Sequence, residues 1–407
     1  MIEPLTIGII SVHTSPLRRA GSGNAGGLNV YALESARQLA RQGHQVHIFT
    51  ADQIDELADC IEIEPGLTAH QLGVVPSGAD KDAFATDLDA ISDALGRHRS
   101  FAQLEVIHSH YWMSGVAVER VRLAHQAHLI TMHTMALVKG RDSGVSSDPA
   151  QRIDAERTLV ATVPLIVNTS KEIEDAAALY SADPEHSYVV PPGVETTTFY
   201  PRDRAAARHR TDLKNTDLVV LYAGRLQQMK GIDVLLDAIA VLRDTDPRLS
   251  ARVHTVIVGG GTPTSAAALL QVEDELQIAG LVEHRESVDP SQLADLLCSA
   301  DIVVVPSRSE SFGLVAAESG ACGIPVIASA VGGLPDVVDD GDTGLLVPPG
   351  DPRELAKAIG QLLHDDDRRI ALGQHAAQRM LTWTWAQTAT QLLAAYRAEI
   401  TRLPGQR

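Results

Sequence analysis

Residues 218–231 read Leu218-Val219-Val220-Leu221-Tyr222-Ala223-Gly224-Arg225-Leu226-Gln227-Gln228-Met229-Lys230-Gly231. A short apolar run closed by a glycine reads as a buried strand that ends in a turn. Two cations, Arg225 and Lys230, follow within a few residues of the strand end. Working outward, similar runs recur at Val253–Val258, Ile302–Pro306, Pro325–Ala328 and Gly344–Val347, with longer helical patterns between them. Upstream, Thr6–Val12, Gln45–Phe49, His70–Val75, Val106–His108, Ala127–Met132 and Leu165–Asn168 repeat the theme. A helix pattern over Leu28–Gln42 puts Leu28, Tyr31, Ala32, Ser35, Ala36 and Leu39 on one face. Strands alternating with helices predict parallel sheets covered by helices.

The alternation breaks once, at the connector Pro191-Pro192-Gly193-Val194 through Phe199-Tyr200-Pro201, and then restarts. We therefore expect an α/β protein of two Rossmann-like doubly wound domains, residues 1–192 and 193–385. The Trp-rich bend Thr382-Trp383-Thr384-Trp385 leads into a last helix, 386–407, which either completes the second domain or crosses back to the first. Open α/β sheets bind ligands beyond the carboxyl ends of their strands. Two such sheets place the expected site in a cleft between domains.

The chain has 407 residues with 34 Lys plus Arg against 52 Asp plus Glu, a formal charge of −18. That balance repels phosphate backbones, and 4% aromatics leave little for base stacking, so nucleic acid is not an expected partner. A phosphorylated ligand must be met by locally clustered cations or helix N-termini. Cys60, Cys298 and Cys322 show neither a disulfide framework nor zinc spacing, which suits a reducing cytoplasm. Neither a signal peptide nor a membrane span is evident, and small molecules are the expected partners.

Gly21-Ser22-Gly23-Asn24-Ala25-Gly26 matches G-x-G-x-x-G but begins eight residues beyond the strand, unlike a dinucleotide fingerprint. It reads as a loop that lets backbone approach a ligand, with the N–H groups near Gly26 and Gly27 at a helix start open to a phosphate. Val258-Gly259-Gly260-Gly261-Thr262 closes another strand in the same way. Arg225 and Lys230 suit a diphosphate, as planar fork and point charge. The most specific element is Glu310-Ser311-Phe312-Gly313-Leu314-Val315-Ala316-Ala317-Glu318. Its glutamates, eight apart, span about two helical turns on roughly the same side; the helix is expected to start near Gly313, with Glu310 in the loop above its N-terminus and Glu318 within it, accepting from ribose hydroxyls. The N–H groups around Gly313–Val315 face a phosphate. Asp244-Thr245-Asp246 matches a D-x-D metal pattern but lies before Pro247 between elements, and His108, His110 and His133 read as strand-end histidines, so no metal is expected.

G-R-L-x-x-x-K-G, E-x7-E and Gly332-Gly333-Leu334-Pro335, in this order, resemble the retaining family 4 glycosyltransferases of GT-B fold. Within that family, Ser11-Val12-His13-Thr14-Ser15-Pro16-Leu17, the Gly21–Tyr31 loop, His108–Trp112, Met132–Lys139 and the Trp-rich bend are similar to the mycothiol-pathway enzymes. Those transfer N-acetylglucosamine from its UDP sugar to D-inositol 3-phosphate (1L-inositol 1-phosphate). The resemblance implies acceptor contacts from Asn29, Lys81, Tyr111, Thr134 and Arg152. It implies donor contacts from Gly26, Gly27, Arg225, Lys230, Glu310, Phe312, Gly313, Leu314 and Glu318. Arg225 and Lys230 would neutralise the leaving phosphate, Glu310 would orient the sugar and His133 would contact its hydroxyls. No cofactor is implied beyond the nucleotide-sugar substrate. A homodimer is left open, since relatives of this type are often dimers.

The chain departs from the pattern at Gly23-Asn24-Ala25, where an Asp is more usual, and at Gln228-Met229, which replaces a Pro-containing pair. Arg285 near Val288 is not assigned to the base. Related transferases of natural-product pathways share the scaffold with other donors and acceptors, such as the thiol ergothioneine. A UDP-sugar epimerase, turning over donor alone, and a non-catalytic sugar-nucleotide sensor are the alternatives of other classes.

Overall fold

The computed structural model describes residues 3–18, 25–143, 148–260 and 263–403. The Gly21–Asn24 part of the glycine loop and Gly261-Thr262 lie outside the described residues. The chain divides into two compact units, Met1–Pro192 with Trp385–Arg407, and Gly193–Thr384.

In the first unit the strands are β1 Thr6–Ile10, β2 Gln45–Asp52, β3 Cys60–Glu64, β4 Leu67–Val75, β5 Val106–His110, β6 Ala127–Thr131, β7 Leu165–Val167 and β8 Ser187–Val189. They form an eight-stranded sheet in the order β3-β4-β2-β1-β5-β6-β7-β8. β3 alone pairs antiparallel, to β4. Residues of β5 and β6 are buried throughout, as a central parallel strand covered on both faces requires. Apolar clusters lie on both faces, one around Phe49, Ile91, Phe101 and Trp112 and the other around Ile7, Ile9, Leu39 and Ile48.

Helix Gly27–Arg41 buries Tyr31, Ala32, Ser35, Ala36 and Leu39, the face expected from periodicity. The last helix, Trp385–Arg402, packs against it and places Ala389, Leu392, Leu393 and Tyr396 in the second cluster. Each leucine taken from water contributes roughly 1.5–3 kcal/mol.

The second unit holds β9 Leu218–Ala223, β10 Val253–Val258, β11 Val282–Arg285, β12 Ile302–Val305, β13 Val326–Ser329 and β14 Gly344–Val347. These form a six-stranded sheet, β11-β10-β9-β12-β13-β14, parallel throughout. In both sheets the chain starts in the middle, builds one edge and then returns to build the other. The order therefore reverses between β1 and β5, and again between β9 and β12. Loops on either side of such a switch point diverge and open a crevice.

The helix after β12 is Leu314–Ala321, with Gly313 as its N-cap at φ +101°. Glu310 lies in the preceding loop and Glu318 within the helix, as the spacing predicts.

Candidate active site

The expected donor residues other than Gly26 and Gly27 lie around the β9/β12 switch point of the second unit. Beyond β9, Gly224 N–H donates to the Val258 carbonyl at 2.9 Å, and Tyr222 Oη donates to the Arg225 carbonyl at 2.9 Å. The loop then turns back at Gly231, φ +68°, where a Cβ would stand 1.9 Å from the Pro306 carbonyl oxygen. Only glycine lets the loops after β9 and β12 touch there. Arg308 ties them again, through both oxygens of Asp233 at 2.7 and 2.6 Å and the Gln228 carbonyl at 2.7 Å.

That contact brings Lys230 Nζ to 2.7 Å from Glu310 Oε2, which also accepts from Ser307 Oγ at 3.2 Å. The Glu310 backbone is held from behind, its carbonyl accepting from Gly333 N–H at 3.0 Å. At Gly332, φ +53°, a Cβ would fall 1.7 Å from the same carbonyl oxygen. The Gly332-Gly333-Leu334-Pro335 motif therefore positions Glu310. Arg225 is different: among the described residues its guanidinium has no hydrogen-bond or ion partner. Glu318 is half-buried one turn into its helix, its carboxyl also unpartnered among the described residues, and burial pushes its pKa up to about 8. The Phe312 ring is buried in the core against Trp383, 5.5 Å between centroids, leaving only its backbone for a ligand. Gly313 and Leu314 begin the helix, where unpaired N–H groups and the helix dipole favour an anion.

The β1/β5 switch point of the first unit gathers the expected acceptor residues. Tyr111 follows β5 at φ +74°, a strained conformation for a bulky residue. Lys81 Nζ donates to its hydroxyl at 2.6 Å, the Arg152 guanidinium carbon lies 5.0 Å from its ring centroid, and the His13 ring packs at 4.6 Å. Arg152 is buried and heavily bonded, to Glu156 at 2.6 Å, Asp148 at 2.8 Å and the Thr134 carbonyl at 2.9 Å. Thr134 itself is exposed. Two cations thus converge on one aromatic ring at a strand end. Burial raises the Tyr111 phenol to about 12, so it stays a neutral donor.

Asn29 plays another part. Its amide donates to Thr14 Oγ1 at 2.8 Å and the Ser15 carbonyl at 2.7 Å, and its oxygen accepts from Gly26 N–H at 2.8 Å. It fastens the loop after β1 to the helix start, and the Gly26 N–H expected to receive a phosphate is already used. Gly27 is the first residue of that helix.

His133, at φ +58° after β6, shares a proton with His110 at 2.9 Å, and burial lowers its pKa to about 3. His108 bonds Tyr396 Oη and Thr131 Oγ1, each at 2.8 Å. These histidines are neutral hydrogen-bonding groups. Asp246 of the D-x-D match caps a short helix, accepting from Leu249 N–H at 3.0 Å, and bonds His364 at 2.7 Å.

Sequence reasoning missed His13. It is buried, its Nδ1 has no hydrogen-bond partner among the described residues, and burial beside Lys81, His133 and Arg152 lowers its pKa. A histidine just past the first strand of a doubly wound sheet was the available signal.

Residues 25–198 match the family described as Glycosyltransferase Family 4, and residues 203–379 match Glycosyl transferases group 1. A D-inositol 3-phosphate glycosyltransferase of Stackebrandtia nassauensis is 39% identical over 98% of this chain and 93% of its own length. One from Corynebacterium aurimucosum is 40% identical over 96% of each. The chain belongs to the GT-B glycosyltransferases. Among solved structures, this transferase is similar to the sucrose-phosphate synthase of Thermosynechococcus elongatus. The TM-score is 0.88 and the identity 30%, covering 98% of this chain and 100% of that one. The family 4 match spans Lys81, Tyr111, Thr134 and Arg152, and the group 1 match spans Arg225, Lys230, Glu310 and Glu318. Among the described residues, no helix of the transferase is long and apolar enough to cross a membrane.

Proposed function

We propose that this transferase moves N-acetylglucosamine from UDP-N-acetylglucosamine to a hydroxyl of D-inositol 3-phosphate, with retention of anomeric configuration. One observation supports the acceptor most: Lys81 and Arg152 converge on Tyr111 at the β1/β5 switch point, in a chain whose relatives are named for that acceptor. Lys81, with Arg152 and the Tyr111 hydroxyl, receives the acceptor phosphate. His13 and Thr134 complete the pocket, and Asn29 keeps the loop shaped.

The donor lies on the second unit. Glu318 accepts from the ribose hydroxyls, and Arg225 and Lys230 meet the diphosphate. Lys230 pairs with Glu310 at 2.7 Å; a diphosphate oxygen competes for that cation and frees Glu310 to orient the sugar. As the bond from C1 to the diphosphate oxygen breaks, negative charge grows on the leaving phosphate, and the two cations stabilise it. The acceptor oxygen bonds C1 on the same face and its proton passes to the leaving phosphate, giving UDP and the glycoside. His133, held neutral, hydrogen-bonds the sugar hydroxyls. Positive charge from Arg225, Lys230 and the helix start at Gly313 serves where other transferases use a metal, and the reaction proceeds in the cytoplasm.

The test is product analysis with UDP-N-acetylglucosamine and D-inositol 3-phosphate. An α-linked product whose formation matches UDP release is expected. A β-linked product sinks the retaining mechanism, and release only with another donor or acceptor reassigns the substrates.

A further inference from the structure

The second unit has a cavity of about 580 Å³ away from the β9/β12 switch-point residues, bounded among others by Arg202, Cys298, Asp301, Cys322, Arg369 and Gln378. Its size is that of a small-molecule site, commonly ~300–1,000 Å³. Cys298 and Cys322 are otherwise almost fully buried, at 1% and 3% exposure, so the cavity is their route to solvent. Cys298 lies in the last turn of helix Pro290–Ser299, and Cys322 caps helix Leu314–Ala321. The two helices pack together, both cysteines line this one cavity, and the Cys298 thiol donates to the Tyr200 carbonyl at 3.5 Å.

We propose that Cys298 and Cys322 form a reversible modification site, in which a low-molecular-weight disulfide enters this cavity and joins the two thiols.

The surroundings divide the roles. Cys298 has the cation. Arg202 reaches Asp295 at 2.5 Å and the Thr198 carbonyl at 2.7 Å, while its Nε is buried with no hydrogen-bond partner among the described residues. The Cys322 thiol, the Arg202 backbone N–H and the Arg202 charge all favour a Cys298 thiolate and lower its pKa, against burial and Asp295. Cys322 is pushed up by Cys298, by burial and by Glu318. Cys298 is therefore the attacking sulfur. Its thiolate bonds one sulfur of the small disulfide, and the other sulfur leaves as a thiolate. Cys322 then loses its proton and attacks Cys298 Sγ, expelling the second thiolate. Two protein thiols are oxidised, and one small disulfide is reduced to two thiols.

The modification reaches the donor residues through the chain. Cys322 N–H donates to the Glu318 carbonyl at 3.0 Å, so a bond at Cys322 tethers the end of the helix that carries Glu318. Weaker UDP binding by the oxidised protein follows, and this part alone rests on Glu318 being the ribose contact.

The experiment uses the full chain with the exposed Cys60 replaced, Cys60→Ser, and glutathione disulfide as probe. Intact mass and peptide mapping should show loss of two hydrogens with no retained glutathione, and a Cys298–Cys322 cross-link that dithiothreitol reverses. With Cys322→Ser added, glutathione should remain on Cys298. With Cys298→Ser added, Cys322 should stay unmodified. An unchanged mass in the Cys60→Ser protein, which needs no further variant to fold, overturns the proposal, as does capture at Cys322 in place of Cys298. UDP affinity is read separately by calorimetry. A several-fold loss on oxidation supports the coupling, and equal affinity with the cross-link formed overturns the coupling and leaves the site standing.

Discussion

Arg225→Ala should separate catalysis from folding more cleanly than any other change at the donor residues. The guanidinium has no partner among the described residues, so its removal leaves no orphaned charge. Arg225 is half-buried, and changes that break no pairing or packing usually alter stability by within about 0.5 kcal/mol. Its contribution falls on the reaction instead. A charge-assisted hydrogen bond is worth about 1.5–3 kcal/mol, and a bidentate fork on a phosphate gathering charge makes two. Removing one donor from such a site costs roughly 10²–10³-fold. We expect kcat/KM for UDP release to fall by about that factor, mostly in kcat, because the interaction strengthens as the leaving phosphate forms. Arg225→Lys keeps the charge, loses the fork and should fall between. Lys230→Ala is the contrast: it strips Glu310 of the partner 2.7 Å away, leaves it Ser307 alone, and should lower the melting temperature as well as the rate. The assay is steady-state UDP release beside thermal denaturation. Activity of Arg225→Ala within about threefold of the parent, against the cost of losing a catalytic donor, would refute the reasoning. Loss of activity and of the folded state together would refute it equally.

Three further outcomes follow from the geometry. Lys81→Ala should raise the KM for a phosphorylated acceptor by roughly 10²-fold, the cost of one charged hydrogen bond, and leave UDP affinity, read by calorimetry, unchanged; parallel losses would place Lys81 outside the acceptor pocket. Glu318, held near 8, keeps a proton that the unfolded chain releases near 4.3, so its contribution to stability falls as pH rises between those values. Glu318→Gln should remove that slope, raising the urea midpoint above the parent's at pH 8 and meeting it near pH 4; superimposable profiles would contradict the burial argument. Tyr396→Phe removes the hydroxyl 2.8 Å from His108 Nδ1, inside the packing of the last helix on the first unit. It should cost about 1–3 kcal/mol of unfolding free energy through the unsatisfied buried nitrogen, and a neutral result would mean that this bond does not anchor the helix.

Buried strands could be read directly because burial writes itself as mainly apolar runs: the central β9 and β10 begin and end where those runs do, as does β14, an edge strand that is itself mostly buried. The half-exposed edge strands could not. β3 is Cys60-Ile61-Glu62-Ile63-Glu64 and β11 is Val282-Glu283-His284-Arg285, half polar because one side meets solvent. The donor residues were legible as local motifs, since Arg225, Lys230, Glu310 and Glu318 each follow a strand end. Their connection was not: Lys230 and Glu310 are 80 positions apart, and the contact depends on Gly231 fitting under the Pro306 carbonyl. The acceptor cluster carries no local pattern at all. Lys81 and Tyr111 meet across 30 positions, so these residues were found by family resemblance, and His13, quoted in its motif, was given no role until its ring was seen against Tyr111.

The central claim is that Lys81, Arg152 and Tyr111 form a phosphate site for the acceptor of this transferase. The most direct measurement compares kcat/KM for D-inositol 3-phosphate and for unphosphorylated inositol, with UDP-N-acetylglucosamine as donor, in the parent and in Lys81→Ala. The account predicts strong preference for the phosphorylated acceptor in the parent and collapse of that preference in the variant. Equal use of both acceptors by the parent, or a preference untouched by Lys81→Ala, would contradict it.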